Sequence, residues 1–139
     1  MRLQNTSNID TQIIRNIIRF VKPSSVSNFD IWVKKSKYAY YGRAYTEGCN
    51  FHSPNPFVSY VVVRIGNPTF PLKIGGFKAY IKHYVNDTTE LLVSIIAHEL
   101  YHLKQAKLHE RFSEKEADKY AIKKLEQYRL NPHSLITSD

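Results

Sequence analysis

The stretch at residues 87–118, DTTELLVSIIAHELYHLKQAKLHERFSEKEAD, predicts two consecutive helices. Asp87 or Thr88 can cap the first helix, and a glutamate three residues after Asp87 gives the spacing of a capping box. Ser113 and Glu116 repeat that spacing and predict a second helix, which should run to about residue 129. We therefore expect a helical hairpin whose first helix buries an apolar stripe: Leu91, Leu92, Ile95, Ile96, Leu100 and Leu103.

Two histidines stand four residues apart in the first of these helices, in the sequence His98-Glu99-Leu100-Tyr101-His102. Residues four apart on an α-helix differ by ~40° in direction and ~6 Å in height, so both imidazoles can reach one ion. Glu99 projects beside the pair and need not be a ligand itself. The spacing predicts a metal site with His98 and His102 as ligands and with Glu99 near a metal-bound water.

A catalytic zinc site needs three protein ligands and one open position. We expect Glu114 to be the third ligand, because the hairpin brings the first turn of the second helix back beside the histidines. Asp118 lies one turn later on the same face, where it could accept a hydrogen bond from a ligand histidine. Glu116 and Glu110 are rival ligands, and Glu116 ranks lower because its capping role directs it to the helix N-terminus.

Before residue 87 the pattern changes to one helix followed by strands. Residues 10–21 place apolar side chains at helical spacing after a capping Asp10 or Thr11, and Pro23 ends this helix. Later segments rich in β-branched and aromatic residues predict three or four strands, mostly antiparallel because several connections look too short for crossover helices. These segments are 29–34, 38–45, 59–65 and 77–84, with loops expected at 50–56 and 66–76.

Length and composition favour one α+β domain over residues 1–139, with a frayed tail at 133–139. The hydrophobic content of 42% is enough for one core. The N-terminal stretch is polar, no apolar run approaches the ~20 residues that span a bilayer, and Cys49 is the only cysteine. These features predict a soluble cytoplasmic protein without membrane contact or internal disulfide.

The net charge of +8 is unevenly distributed. Residues 1–86 contain 12 Lys/Arg and 3 Asp/Glu, a net of +9, whereas residues 87–139 contain 8 and 9, a net of −1. The basic part could make a weak electrostatic contact with nucleic acid, although a solvated basic surface is the simpler interpretation. We expect the tyrosines of this part to pack in the sheet rather than stack on bases: Tyr38, Tyr40, Tyr41 and Tyr45.

The segments SIIAHELYHLKQ and SEKEADKYAIKKL resemble the active-site and glutamate helices of gluzincin zinc metallopeptidases. The short gap between HExxH and the ExxAD motif is similar to that of the small minigluzincins. The resemblance implies a Zn²⁺ ion held by His98, His102 and Glu114. It also implies that Glu99 is the general base and acid, and that Asp118 is a supporting carboxylate.

The resemblance further implies a zincin-like fold, in which a backing helix and a small twisted sheet precede the active-site and glutamate helices. In such folds the strand before the active-site helix, here 77–84, lines the cleft and pairs with an extended peptide or protein substrate. The implied activity is that of a zinc metalloendopeptidase. Four residues are candidates for stabilising the oxyanion: Tyr101, His109, Tyr120 and Tyr128.

Two alternatives stay open beside general proteolysis. A zincin-fold protein could act as a regulatory or nucleic-acid-associated module, which the basic first part motivates. A latent or very selective peptidase could instead have its cleft blocked by the N-terminal segment.

Overall fold

The computed structural model describes residues 1–46, 58–74 and 81–135, which form three helices, six strands and one short 3₁₀ helix. The 3₁₀ helix covers Pro132–Leu135. The longer elements, in chain order, are β1 (Arg2–Asn5), α1 (Thr11–Val21), β2 (Phe29–Lys35), β3 (Tyr40–Tyr45), β4 (Ser59–Ile65), β5 (Leu72–Ile74), β6 (His83–Val85), α2 (Thr88–Lys107) and α3 (Glu114–Leu130).

Helix α1 confirms the amphipathic helix expected at 10–21. The carboxylate of Asp10 accepts hydrogen bonds from the backbone N–H groups of Gln12, at 2.8 Å, and Ile13, at 3.2 Å. These bonds satisfy two of the N–H groups that a helix start leaves without partners. The helix buries one face against the sheet and α2, and this face consists of Ile14, Ile17, Ile18 and Val21.

Helices α2 and α3 form the predicted hairpin. The Asp87 side chain accepts from the Glu90 N–H at 2.8 Å, and the Ser113 hydroxyl accepts from the Glu116 N–H at 3.1 Å. Between the helices, His109 adopts a positive φ of 53°, a conformation in which the helix cannot continue. The chain reverses there, so the first turn of α3 returns to the middle of α2.

The main sheet is mixed, and the expectation of mostly antiparallel strands is wrong. Its order is β1-β2-β4-β3; the pairs β1/β2 and β2/β4 are parallel, and only β3/β4 is antiparallel. Helix α1 supplies the crossover between β1 and β2, which makes that parallel pairing feasible. Strand β4 then inserts between β2 and β3, so β2 and β4 are parallel although β3 separates them in sequence.

Three shorter segments also differ from the sequence-based expectations. Strand β1 was not predicted, because four mostly polar residues carry no strand pattern. Strand β5 lies inside the segment expected to be a loop and pairs with β6, which overlaps the end of the expected strand at 77–84. Leu135 is buried within the segment expected to fray. Residues 47–57, which contain the other expected loop, and 75–80 and 136–139 lie outside the described residues.

The core lies between the main sheet and helices α1 and α2. Inward-facing residues of neighbouring strands, such as Ile31 and Val61, pack with Leu92 and Ile96 of α2. Helix α3 packs on α2 through Ala121 and Leu125, away from the sheet. The result is an α+β arrangement in which α2 is covered on both sides. Within the described ranges, the helices are too short or too polar to cross a lipid bilayer.

Candidate metal centre

Three side chains of the helical hairpin converge on one point. One ligand atom from each of His98, His102 and Glu114 lies within 4.8 Å of the other two. The Nε2 atoms of the histidines are 3.1 Å apart, and a Glu114 carboxylate oxygen is 3.5 Å from the His98 Nε2 and contacts the His102 Nε2. This group could hold a metal ion, and it is the cluster expected from the sequence.

The far nitrogen of each imidazole is held by a different side chain. His98 Nδ1 lies 3.0 Å from an Asp118 carboxylate oxygen, as expected for a supporting carboxylate. His102 Nδ1 lies 2.9 Å from the amide oxygen of Gln105, whose amide nitrogen donates to the Ser113 carbonyl at 3.2 Å. That carbonyl can only accept, so the Gln105 amide must present its oxygen to His102.

These contacts decide which nitrogen faces the cluster. An ionised carboxylate and an amide oxygen both accept, so the Nδ1 atoms of His98 and His102 donate and their Nε2 atoms carry lone pairs. Two lone pairs and the carboxylate of Glu114 then face one another, an arrangement that repels itself unless a proton or a cation lies between them. The donor set, two imidazole nitrogens and one carboxylate oxygen, therefore fits zinc and similar divalent metals.

The two imidazoles differ in their affinity for a proton. Burial lowers the pKa of both rings. For His98 the hydrogen bond to Asp118 and the charges of Glu99 and Glu114 outweigh burial, so its pKa lies above the ordinary value. For His102 burial dominates, and its pKa lies below the ordinary value. His98 thus has more anionic neighbours than His102.

Glu99 lies beside the cluster without belonging to it. Its carboxylate oxygen is 3.9 Å from the His98 Nε2, and the side chain is buried. Burial raises the pKa of Glu99 to about 7, although the charge of His98 and a hydrogen bond from the Ala44 backbone act in the opposite direction. A carboxyl group with such a pKa can both take and return a proton near neutral pH.

Strand β3 forms the wall opposite the hairpin. A Cβ on Gly42 would come within 2.5 Å of Ile95 Cγ2 and 3.2 Å of Glu99 Cγ, so only glycine lets α2 approach this strand so closely. The cleft between them has a volume of about 460 Å³. It is lined by Gly42, Arg43, Ala44, Thr46, His98, Glu99, His102, Gln105, Ala106, Glu110, Phe112 and Glu114.

We expected the segment 77–84 to line the cleft. This expectation is wrong for its described residues, 81–84, which do not line the cleft. Strand β3, earlier in the chain, lies there. His83 turns instead to the buried side of α2, where its Nε2 is 2.6 Å from the Ser94 hydroxyl.

The rival ligands have other partners. Glu110 lines the cleft but pairs with Lys104 at 2.9 Å. Glu116 pairs with Lys119 at 3.5 Å and has an exposed side chain, so neither carboxylate joins the cluster.

The four candidates for stabilising an oxyanion lie away from the cleft. The Tyr120 hydroxyl donates to the Val21 carbonyl and joins α3 to α1, and the Tyr101 ring stacks on it. Tyr128 packs against the core, and His109 lines a neighbouring groove. None of these four described side chains lines the metal cleft, and each has contacts in another part of the structure.

Sequence reasoning missed three contributors to the site. Gln105 follows His102 by three residues, so helical spacing could have identified it. The Phe112 ring stacks on His102 with centroids 4.5 Å apart, and the hairpin turn brings it there. Gly42 reaches the site because the sheet places β3 against α2.

Comparisons with models of protein families, with curated proteins and with solved structures find no match to this chain.

Proposed function

We propose that this protein is a zinc-dependent metalloendopeptidase with a zincin-like fold, in which His98, His102 and Glu114 bind the ion. The observation that supports this most strongly is the orientation of the two imidazoles. Asp118 and Gln105 hold both Nδ1 atoms, so the two Nε2 lone pairs and the Glu114 carboxylate are preorganised for a cation. Zinc is the metal that this donor set suits best when it is combined with a neighbouring glutamate base.

The residues around the cluster fit the hydrolysis of an amide. When bound, zinc supplies Lewis acidity that polarises a carbonyl group and acidifies water. Glu99 accepts the proton of the attacking water at its carboxylate and then passes it to the nitrogen of the leaving amine. Its burial removes competing solvent, and the Ala44 N–H helps to fix the carboxylate next to His98.

Strand β3 suits an extended peptide substrate. It is an edge strand of the main sheet, and among the described residues it pairs only with β4. Apart from the Ala44 N–H, which donates to Glu99, its other edge therefore offers backbone donors and acceptors to a peptide lying along the cleft. Such pairing would recognise the backbone of the peptide rather than its side chains. It therefore favours an endopeptidase that accepts substrates of many sequences.

The metal content of Glu114→Ala and Glu116→Ala tests the binding site. The two glutamates are on the same helical turn, but only Glu114 contacts a histidine. After dialysis against zinc and removal of excess metal, we expect the parent and Glu116→Ala to retain zinc and Glu114→Ala to lose most of it. Equal retention by both variants would exclude Glu114 as a ligand.

Activity of Glu99→Gln tests the reaction. The amide keeps the size of the side chain but cannot accept the proton, so we expect zinc content to be unchanged and cleavage of quenched fluorescent peptides to fall about 100-fold or more. Turnover equal to the parent would exclude Glu99 as the base. If the zinc-loaded parent cleaves no peptide of a diverse library, the regulatory alternative replaces the peptidase proposal.

A further inference from the structure

The face of the main sheet opposite the helices carries a second built surface. Side chains alternate along each strand, so the neighbours of core residues Ile31, Val33, Val61 and Val63 point away from the helices. Cross-strand pairing aligns them in rows, for example Lys34 with Arg64 and Arg64 with Tyr41. We call this surface the outer sheet face. Its exposed and half-buried members are Trp32, Lys34, Tyr41, Arg43, Tyr45 and Arg64, and its buried members are Tyr60 and Val62.

The outer sheet face is concave. It forms most of the lining of a hollow of about 880 Å³, which is larger than the metal cleft. The end of β2 and the segment after it add Lys35, Lys37 and Tyr38 at one rim. A hollow of this size falls within the range of ligand-binding pockets, roughly 300–1,000 Å³.

The charge of this surface is positive and uncompensated. Within the described residues, four cations that line the hollow form no ion pair: Lys34, Lys35, Lys37 and Arg64. Asp30, on the same side of β2, pairs with Arg2 at 4.0 Å. Partial burial and the nearby charge of Arg64 lower the pKa of Lys34, as expected for like charges held together. Such a surface complements a polyanion.

Aromatic rings lie between these cations. The Lys34 ammonium stands 3.5 Å from the centre of the Trp32 ring, and the Arg43 guanidinium lies 5.1 Å from that of Tyr45. Tyr41 is 39% exposed and Tyr38 is 76% exposed. The expectation that all these tyrosines pack in the sheet is thus wrong for two of them, and their rings are accessible for stacking.

We propose that the outer sheet face binds single-stranded nucleic acid. Its phosphates pair with Lys34, Arg64 and the lysines at the rim, while unstacked bases lie on Tyr41 and Tyr38. Cations interleaved with exposed rings suit this ligand, because every base offers a π-face and every linkage a negative charge. A duplex hides its bases from such rings, and an acidic peptide leaves them unused. The hollow lies on the opposite side of β3 from the metal centre, and none of its described lining residues lines the metal cleft.

Fluorescence anisotropy with a labelled, mixed-sequence DNA strand of about 12 nucleotides tests the proposal. The parent should bind at ~50 mM salt, with an affinity that falls steeply as salt rises. Tyr41→Ala should weaken binding about fivefold or more without changing the salt dependence, and Tyr41→Phe should restore it. Lys34→Gln should weaken binding and reduce the slope of the salt dependence by about one.

Lys123→Gln is the matched control, because it removes an exposed lysine from α3, away from the sheet. It should bind as the parent does. The proposal is overturned if the strand does not bind at ~50 mM salt, or if Lys123→Gln weakens binding as much as Lys34→Gln. Equally tight binding of a duplex, of poly-glutamate or of phosphatidylserine vesicles would also overturn it. Thermal denaturation of each variant verifies that the sheet is intact, and Tyr41→Phe keeps the test valid if Tyr41→Ala is unstable.

Discussion

The two faces of strand β3 belong to different surfaces. On the inner face, Gly42 and Ala44 line the metal cleft beside Glu99. On the outer face, the alternate residues Tyr41 and Arg43 are exposed to solvent among other cations and rings. The side chains are small where a helix must approach and large where none does. Alternation along one strand is thus enough to separate an anionic cleft from a cationic surface by the thickness of the sheet.

The separation of charge follows the division of the chain. The carboxylates of the metal centre and its cleft come from α2, α3 and the turn between them. Among the described residues, the cations of the hollow that form no ion pair come from the strands and the segment after β2. The uneven net charge of the sequence therefore corresponds to two separate surfaces of opposite charge, the metal cleft and the outer sheet face. The proposed zinc site and nucleic-acid site can accordingly be altered one at a time.

Gly42→Ala should show the largest effect, because it tests the inner face alone. The added Cβ would overlap Ile95 Cγ2, and overpacking of this kind costs roughly 1–3 kcal/mol. We expect the midpoint of thermal unfolding to fall by about 3–10 °C, together with reduced peptidase activity because Glu99 is displaced. Tyr41→Phe, one residue away on the outer face and outside the cleft lining, should leave the midpoint nearly unchanged. Equal losses in the two variants would contradict the division of β3 into two faces.

Asp118→Asn should have an intermediate effect, confined to the metal centre. The amide keeps the shape but loses the charge that orients His98, so zinc affinity should fall about 10–100-fold. Competition with a chromophoric chelator measures this change. Lys34→Gln, on the outer sheet face, should leave zinc affinity as in the parent, and a shared loss would show that the two surfaces are coupled.

Glu90→Gln should have the smallest effect and should alter neither surface. Glu90 accepts hydrogen bonds from Arg129, at 2.8 and 3.2 Å, and from the Asn86 N–H at 2.9 Å, which ties the ends of α2 and α3 together. Burial raises the pKa of Glu90, but these bonds outweigh it, and the net pKa lies below the ordinary 4.5. We expect urea denaturation at pH 7 to show a loss of about 1 kcal/mol.

The pH dependence of that loss follows from the lowered pKa. A carboxylate with a lower pKa in the folded than in the unfolded state stabilises the fold above the unfolded value. Its contribution decreases as the pH falls from about 4.5 through the folded pKa. The difference in unfolding free energy between parent and Glu90→Gln should therefore narrow below pH 4.5, and a constant difference would exclude the ionised pair as its cause.

Local signals predicted the hairpin and the composition of the metal cluster. The caps at Asp87 and Ser113 act within three residues, and the spacing of His98 and His102 is a property of any α-helix. Glu114 is predictable as the third member because a short turn must reverse the chain, and the positive φ of His109 lies in that turn. Such inferences need only the periodicity of one helix and the length of one connection.

Pairings between distant strands could not be predicted in this way. The position of β4 between β2 and β3 depends on which buried surfaces fit together, and β1 and β5 are too short to carry a pattern of their own. For the same reason β3 was not recognised as the wall of the cleft. Hydrophobic alternation shows that a segment has two faces, but it does not identify the neighbour that covers either one.

The sequence by itself determined the helices, their caps and the set of side chains that could hold a metal ion, because the interactions that specify them span only a few residues. Tertiary structure decided the order of the strands, the close approach of Gly42 to α2 and the exposure of Tyr41 on the far side of the sheet. These features arise only when segments far apart in the chain pack together, since burial and close packing are properties of the whole core rather than of any segment.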